Sequence, residues 1–308
     1  MEKPREATSS GLWASFFGMS GSYESNPDVS EDARPPRADY YEVAGTRLYA
    51  EVRGSGRPPL LLVGAADEDA EFYRGIAERL ADVYTVVTYD RRGTRRSGRE
   101  DWPGGGSAQH ADDAAALLTE LGLHGVTVLG ASAGAIVALQ LALRHPSLVT
   151  TALCFEPGLF RSVPGGSELR QRAQTAVKKH LTSHPDDWEG ASAALGRAAV
   201  DGIKSGSRGL FTPPEGRRWF MDRADSNAES LIRGDLPLTG EPVELAAVAS
   251  CPAHIHFAYG TASLPVFREI TIRLAATRGT TPDALEGVGH SLFYHPDTAA
   301  SYIRSHTT

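Results

Sequence analysis

Gly130-Ala131-Ser132-Ala133-Gly134 sets one hydroxyl among small residues, between the apolar run Val126-Thr127-Val128-Leu129 and helical spacing from Ala135 to Arg144. A strand, a sharp turn and a helix in that order lift a serine hydroxyl clear of a sheet, and only small neighbours fit the turn. The start of the following helix also favours negative charge. Ser132 is therefore a candidate nucleophile, against the plainer reading of a Gly-rich strand–helix turn. A serine hydroxyl attacks poorly until a base removes its proton. Of the ten histidines, His290 stands out. It ends Gly287-Val288-Gly289-His290, after the last expected strand and before the last helix, where a short loop can carry an imidazole over the strand ends. The alternative is a surface-loop histidine. His254 and His256 fall within a strand and read as packing residues. His295, ahead of Pro296, reads as a capping or surface group.

These residues need a frame to hold them. Residues 1–37 are rich in Ser, Gly, Pro and acidic residues and read as a flexible arm, in which Trp13, Phe16 and Phe17 could dock. Tyr40 to Val43 and Arg47 to Val52 form an expected hairpin turned at Ala44-Gly45. An alternation follows. Leu60 to Val63, Tyr84 to Tyr89, Val126 to Leu129 and Thr150 to Phe155 read as strands. Ala70 to Leu80, Gln109 to Leu121 and Ala135 to Arg144 read as helices between them. Strands separated by helices imply a mostly parallel sheet with right-handed crossovers. The pattern breaks over 159–239, where Glu168 to Leu181, Ala191 to Ile203 and Trp219 to Ile232 read as helices and no strand is evident. Beyond Pro242 it resumes: strand His254 to Tyr259, helix Val266 to Ala276, strand Asp283 to Glu286 and helix Asp297 to Ile303. The expected organisation is an arm (1–37), an α/β core (38–158 and 240–308) and a helical lid (159–239).

The strand ending Val63-Gly64-Ala65, the Tyr89-Asp90-Arg91-Arg92-Gly93 turn, the G-x-S-x-G elbow and the late Gly-x-Gly-His together resemble the α/β-hydrolase superfamily, from about Tyr40 to the C-terminus. The resemblance implies an α/β-hydrolase fold, a mostly parallel central sheet flanked by helices, with the lid inserted between strands six and seven. It also implies backbone donors of an oxyanion hole at Ala65 and Ala133, although Val63-Gly64 stands where many members have His-Gly. In the same family Asp90 ends a strand as a structural turn.

The family's acid usually follows strand seven, here Tyr259-Gly260-Thr261-Ala262-Ser263, yet no carboxylate occurs between Glu244 and Glu269. The loop after strand six does carry one, in Cys154-Phe155-Glu156-Pro157. Haloalkane dehalogenases and zearalenone-lactonase-like enzymes resemble this arrangement. Glu156 is thus the expected partner of His290, against a loop glutamate that caps the lid junction, with Asp235 as an alternative from the lid's end. The implied activity is hydrolysis of an ester or lactone of a small to medium, largely apolar molecule. A serine in the elbow argues against dehalogenase or epoxide hydrolase chemistry, which uses an aspartate there. Two other readings stay open: the same triad used for C–C cleavage, elimination or cyclisation, and a retired hydrolase scaffold that binds a ligand. Trp219 and Phe220, with Trp188, Phe211 and Met221, would line an apolar pocket or form the lid's own core.

A formal net charge of −7 disfavours nucleic acid as a partner. The pairs Arg91-Arg92 and Arg95-Arg96 read as a solvated or salt-bridged surface. Cys154 and Cys251 lie in or beside apolar runs and are expected as buried free thiols, with no disulfide framework. No run of 18 apolar residues suggests a membrane span, and no signal peptide is read, so a cytoplasmic protein is expected. There is no Cys/His metal spacing, no phosphate-binding loop and no G-x-G-x-x-G fingerprint, so no cofactor and no metal are implied. The expected partner is a small-molecule substrate, with a homodimer left open.

Overall fold

Eight strands form one sheet in the order β1-β2-β4-β3-β5-β6-β7-β8 in a computed structural model that describes residues 35–200 and 218–307. β1 (Arg37–Val43) and β2 (Thr46–Arg53) pair antiparallel, and β2 joins β4 antiparallel. Their two-residue turn, Ala44-Gly45, takes positive φ at both positions (49° and 75°), which matches the right-handed twist of a hairpin. β3 (Pro59–Val63), β4 (Thr85–Tyr89), β5 (Val126–Ala131), β6 (Val149–Phe155), β7 (His254–Gly260) and β8 (Asp283–Leu285) all run parallel.

Every residue of β3 and β5 is buried, as befits strands covered on both faces. One face packs under α1 (Arg74–Leu80) and the last helix of the chain (Pro296–Ser305), around Phe72, Ile76, Leu80 and Ile303. The other packs under α2 (Gly106–Glu120) and α3 (Ala133–Arg144), around Leu117, Ile136 and Leu139.

Between β6 and β7 the described residues are helical. They comprise α4 (Gly166–Ser183), α5 (Trp188–Val200), α6 (Arg218–Asp225) and a set of short turns over 228–238. The helix expected over Trp219 to Ile232 is therefore broken. Ser226 Oγ donates to the Arg223 carbonyl, a local bond that competes with the helical ladder, and the Asn227 side-chain amide donates across the fold to the Asp67 carbonyl. The chain then passes through a π-turn, Leu231–Asp235. After this insertion come α7 (Leu245–Ser250), too short to show a periodicity, α8 (Pro265–Thr277) and α9 (Pro296–Ser305). Proline opens both α8 and α9, where its missing N–H costs nothing. The N-terminal arm, Phe211 and the end of the helix expected to reach Ile203 lie outside the described residues. Among the described residues no helix is long and apolar enough to cross a membrane.

Candidate active site

Ser132 sits between β5 and α3 at φ 53°, ψ −117°, a left-handed conformation that a non-glycine residue adopts only when its surroundings enforce it. Both glycines of the motif are required by space. A Cβ on Gly130 would strike the Gly134 carbonyl, and one on Gly134 would strike the carbonyls of Val63 and Gly64. The elbow is held from the side as well: Ser132 N–H donates to the Phe155 carbonyl at 3.0 Å.

Glu156 follows β6 directly and is also in the left-handed region, at φ 46°. Its N–H donates to the Ala258 carbonyl at 2.9 Å, and its side chain has no solvent exposure. Three donors satisfy that carboxylate. Gly260 N–H reaches Oε1 at 2.8 Å, while Ser263 Oγ and His290 Nδ1 reach Oε2 at 2.7 and 2.6 Å. The segment after β7, which lacks an acid of its own, thus supplies hydrogen-bond donors to the acid after β6. Gly260 allows the His290 loop to approach, because a Cβ there would strike the Val288 carbonyl. The His290 ring stacks on Phe267 with centroids 3.9 Å apart and planes 18° apart. With Nδ1–H given to Glu156, Nε2 is the basic nitrogen of the ring.

Ser132 and His290 line one cavity of ≈ 220 Å³. Ala65 and Ala133 line it too, and Phe160, Leu169, Leu195, Met221 and Leu236 of the insertion close its apolar side. The loop after β3 brings carboxyl groups to this cavity that sequence reasoning missed. Glu68 Oε2 accepts from Ala65 N–H at 2.9 Å and from Tyr73 O–H at 2.7 Å. Asp235, from the π-turn, accepts from Ala66 N–H at 2.5 Å and pairs with Arg91 at 2.6 Å. Asp235 is therefore tied to Arg91 and the β3 loop, while His290 takes Glu156. Burial raises the Glu68 carboxyl above its ordinary range, against the lowering effect of Tyr73 and Ala65. It pushes Asp67 well above that range, helped by the neighbouring charges of Glu68 and Asp235. Asp67-Glu68, two acids directly after Val63-Gly64-Ala65-Ala66, are the signal that could have found this cluster.

Comparison with known proteins agrees with this fold. A family model described as alpha/beta hydrolase fold matches residues 58–189. The crystal structure of an alpha/beta hydrolase from Sphaerobacter thermophilus superposes with a TM-score of 0.62 at 24% identity, covering 88% of this chain and 100% of that one. This is an α/β-hydrolase fold. Est816, described as an N-acyl homoserine lactone degrading enzyme, superposes with a TM-score of 0.59 at 19% identity, over 87% of this chain and 100% of the other. In sequence the chain is 40% identical over 134 residues to the uncharacterized hydrolase YraK of Bacillus subtilis, which is 43% of this chain and 49% of YraK. The chain spans about half the length of the curated relatives it matches.

Within this α/β-hydrolase fold two expectations need correction. Trp219 and Phe220 do not line the cavity; Met221 and Ala224 of the same helix do. Phe220 packs on Phe72, Phe293 and Tyr294 with centroids 5.4, 5.1 and 5.2 Å apart, and Trp219 packs on Phe72 at 6.1 Å. These rings fasten α6 to the core, because a helix presents adjacent residues to different sides. Trp188 packs with Val177, Ala191 and Ile232 in the insertion's own small core. The arginine pairs are salt-bridged, as one of the two expected readings had it, but Arg91 and Arg92 lie inside rather than on the surface, where Arg95 remains exposed. Arg91 and Arg92 are buried against Asp235 and Asp113, and Arg96 binds Asp90 at 2.6 Å. Asp90 is fully buried and also accepts from Ala70 N–H, the structural role that the resemblance implied.

Proposed function

We propose that this α/β-hydrolase fold is a serine hydrolase that cleaves an ester or lactone of a small to medium, largely apolar molecule. The proposed catalytic residues are Ser132, His290 and Glu156. The observation that carries the reading is the 2.6 Å contact between His290 Nδ1 and a fully buried Glu156, beside a cavity that Ser132 and His290 share. The hydrolase names of YraK and of the structural neighbours support the class, and the lactone-degrading description of Est816 supports the substrate type.

Ser132 Oγ attacks the carbonyl carbon while His290 Nε2 takes its proton. Glu156 stays ionised and stabilises the imidazolium. The imidazolium then protonates the leaving alkoxide, which for a lactone remains tethered to the acyl group. Water attacks the acyl-enzyme with His290 as base, releasing the acid and restoring Ser132. The Ala133 amide, in the first turn of α3, and the Ala65 amide hold the tetrahedral oxyanion, the latter once Glu68 has left it. The same chemistry needs no cofactor. Two buried free thiols fit a cytoplasmic protein.

The Glu68 contact with Ala65 N–H favours one second reading, a ligand-binding scaffold whose oxyanion site its own side chain has filled. A fluorophosphonate separates the two. The serine hydrolase is labelled on the Ser132 peptide, Ser132→Ala is not labelled, and hydrolysis of a p-nitrophenyl ester in ¹⁸O water puts the label into the acid product. A parent protein that neither labels nor hydrolyses would leave the binding scaffold as the correct reading.

A further inference from the structure

The N-terminal edge of the sheet, opposite the edge that carries Ser132 and Glu156, holds a second cluster of chemically capable side chains. His256 lies near the start of β7, Asp283 is the first residue of β8, and His306 follows the last turn of α9. One ligand atom from each lies within 4.8 Å of the other two, and all three side chains are half-buried. His256 and His306 border an open cleft with Thr127, Thr151 and His254.

Hydrogen bonding leaves a gap at its centre. His306 Nδ1 lies 3.0 Å from the Tyr302 carbonyl, which can only accept, and 2.9 Å from Ser305 Oγ, whose own hydrogen goes to that carbonyl at 2.8 Å, so Nδ1 carries the hydrogen. In the neutral ring Nε2 then presents a lone pair, and it faces Asp283 Oδ2 at 3.2 Å. Two acceptors at that distance require positive charge between or beside them. A proton on His306 would supply it, and so would a metal ion. The second imidazole of His256, its ring centroid 4.3 Å from that of His306, is what a metal ion uses and a simple ion pair does not.

We propose that His256, Asp283 and His306 form a binding site for a divalent first-row transition-metal ion such as Zn²⁺. Metal–ligand bonds of about 2.0–2.2 Å at tetrahedral angles separate ligand atoms by about 3.3–3.5 Å. Asp283 and His306 already meet that separation, and His256 reaches it with a movement of about 1 Å. Two imidazoles and one carboxylate suit Zn²⁺, Ni²⁺ or Cu²⁺, and a water completes the shell. The Tyr302 carbonyl orients His306 from behind, as outer partners of metal-bound histidines do. The negative end of the α9 dipole adds to the attraction for a cation. Bound metal would tie the end of α9 to the two outermost parallel strands, far from the Ser132 cavity.

The test is calorimetric titration of untagged protein with Zn²⁺, together with absorption spectra of the Co²⁺-loaded form. The parent should bind one ion at this site with the intense visible bands of a four-coordinate Co²⁺ site. His256→Ala and His306→Ala should each weaken binding by about tenfold to a hundredfold or more and lose those bands. His254→Ala should retain both. The metal-free melting temperatures of the variants should stay near the parent's, so that a lost site is not a lost fold. A parent that binds no Zn²⁺ at millimolar concentration, or His256→Ala and His306→Ala variants that bind as tightly as the parent, would overturn the proposal.

Discussion

Two loops at the same edge of the sheet place carboxylates at or behind the wall of the Ser132 cavity, and they treat them in opposite ways. After β6, Glu156 is fully buried yet accepts three hydrogen bonds, one of them from His290. After β3, Asp67 and Glu68 crowd with Asp235, and burial raises the carboxyls of the first two. The first loop is organised before any substrate arrives. The second spends the Ala65 amide on the protein's own side chain and must rearrange before that amide can hold an oxyanion. Preorganised donors cost nothing at the moment of reaction, whereas an occupied donor must first be freed.

This contrast can be broken by experiment. Glu68→Ala leaves the Ala65 amide unoccupied. A hydrogen bond to a charged group is worth about 1.5–3 kcal/mol. Glu68→Ala should therefore raise kcat/KM on a p-nitrophenyl ester by about tenfold to a hundredfold. A comparable fall would make Glu68 part of the machinery rather than a competitor for the amide. Ser263→Ala probes the other loop. Removing one of three donors from Glu156 should lower kcat by up to about tenfold, with KM little changed. An unchanged kcat would mean that Gly260 and His290 alone hold the acid.

The smallest effect is on stability. Asp67 has a folded pKa well above its unfolded value, so its ionisation opposes folding. That cost is absent below the unfolded pKa of about 3.9 and grows as pH rises through the folded value. Asp67→Asn should raise the melting temperature by about 2–4 °C at pH 8 and leave it unchanged near pH 4. Equal shifts at both pH values would point to packing rather than charge.

What the sequence made legible were features written in local order. The Gly130–Gly134 motif, the strand–helix alternation and the missing acid after β7 are all visible along the chain, and strand order together with the family resemblance pointed to Glu156 as the partner of His290. What it hid were pairings across long separations. Glu68 with Ala65 and Tyr73, and Asp235 with Arg91, depend on how the insertion folds back over β3. Composition likewise could not tell whether Trp219 and Phe220 face a ligand or fasten a helix, since both uses call for large apolar rings. The cluster of His256, Asp283 and His306 has no motif spacing because its members come from two strands and the end of a helix.

The central claim is that Glu156 is the acid of a Ser–His–Glu triad, and Glu156→Gln tests it most directly. Glutamine keeps the shape but can offer a donor where the carboxylate accepted, favouring the wrong imidazole tautomer. With the fold verified by circular dichroism, kcat for a p-nitrophenyl ester should fall by about 10²–10⁴ relative to the parent. A Glu156→Gln variant that keeps a kcat near the parental value would contradict the account.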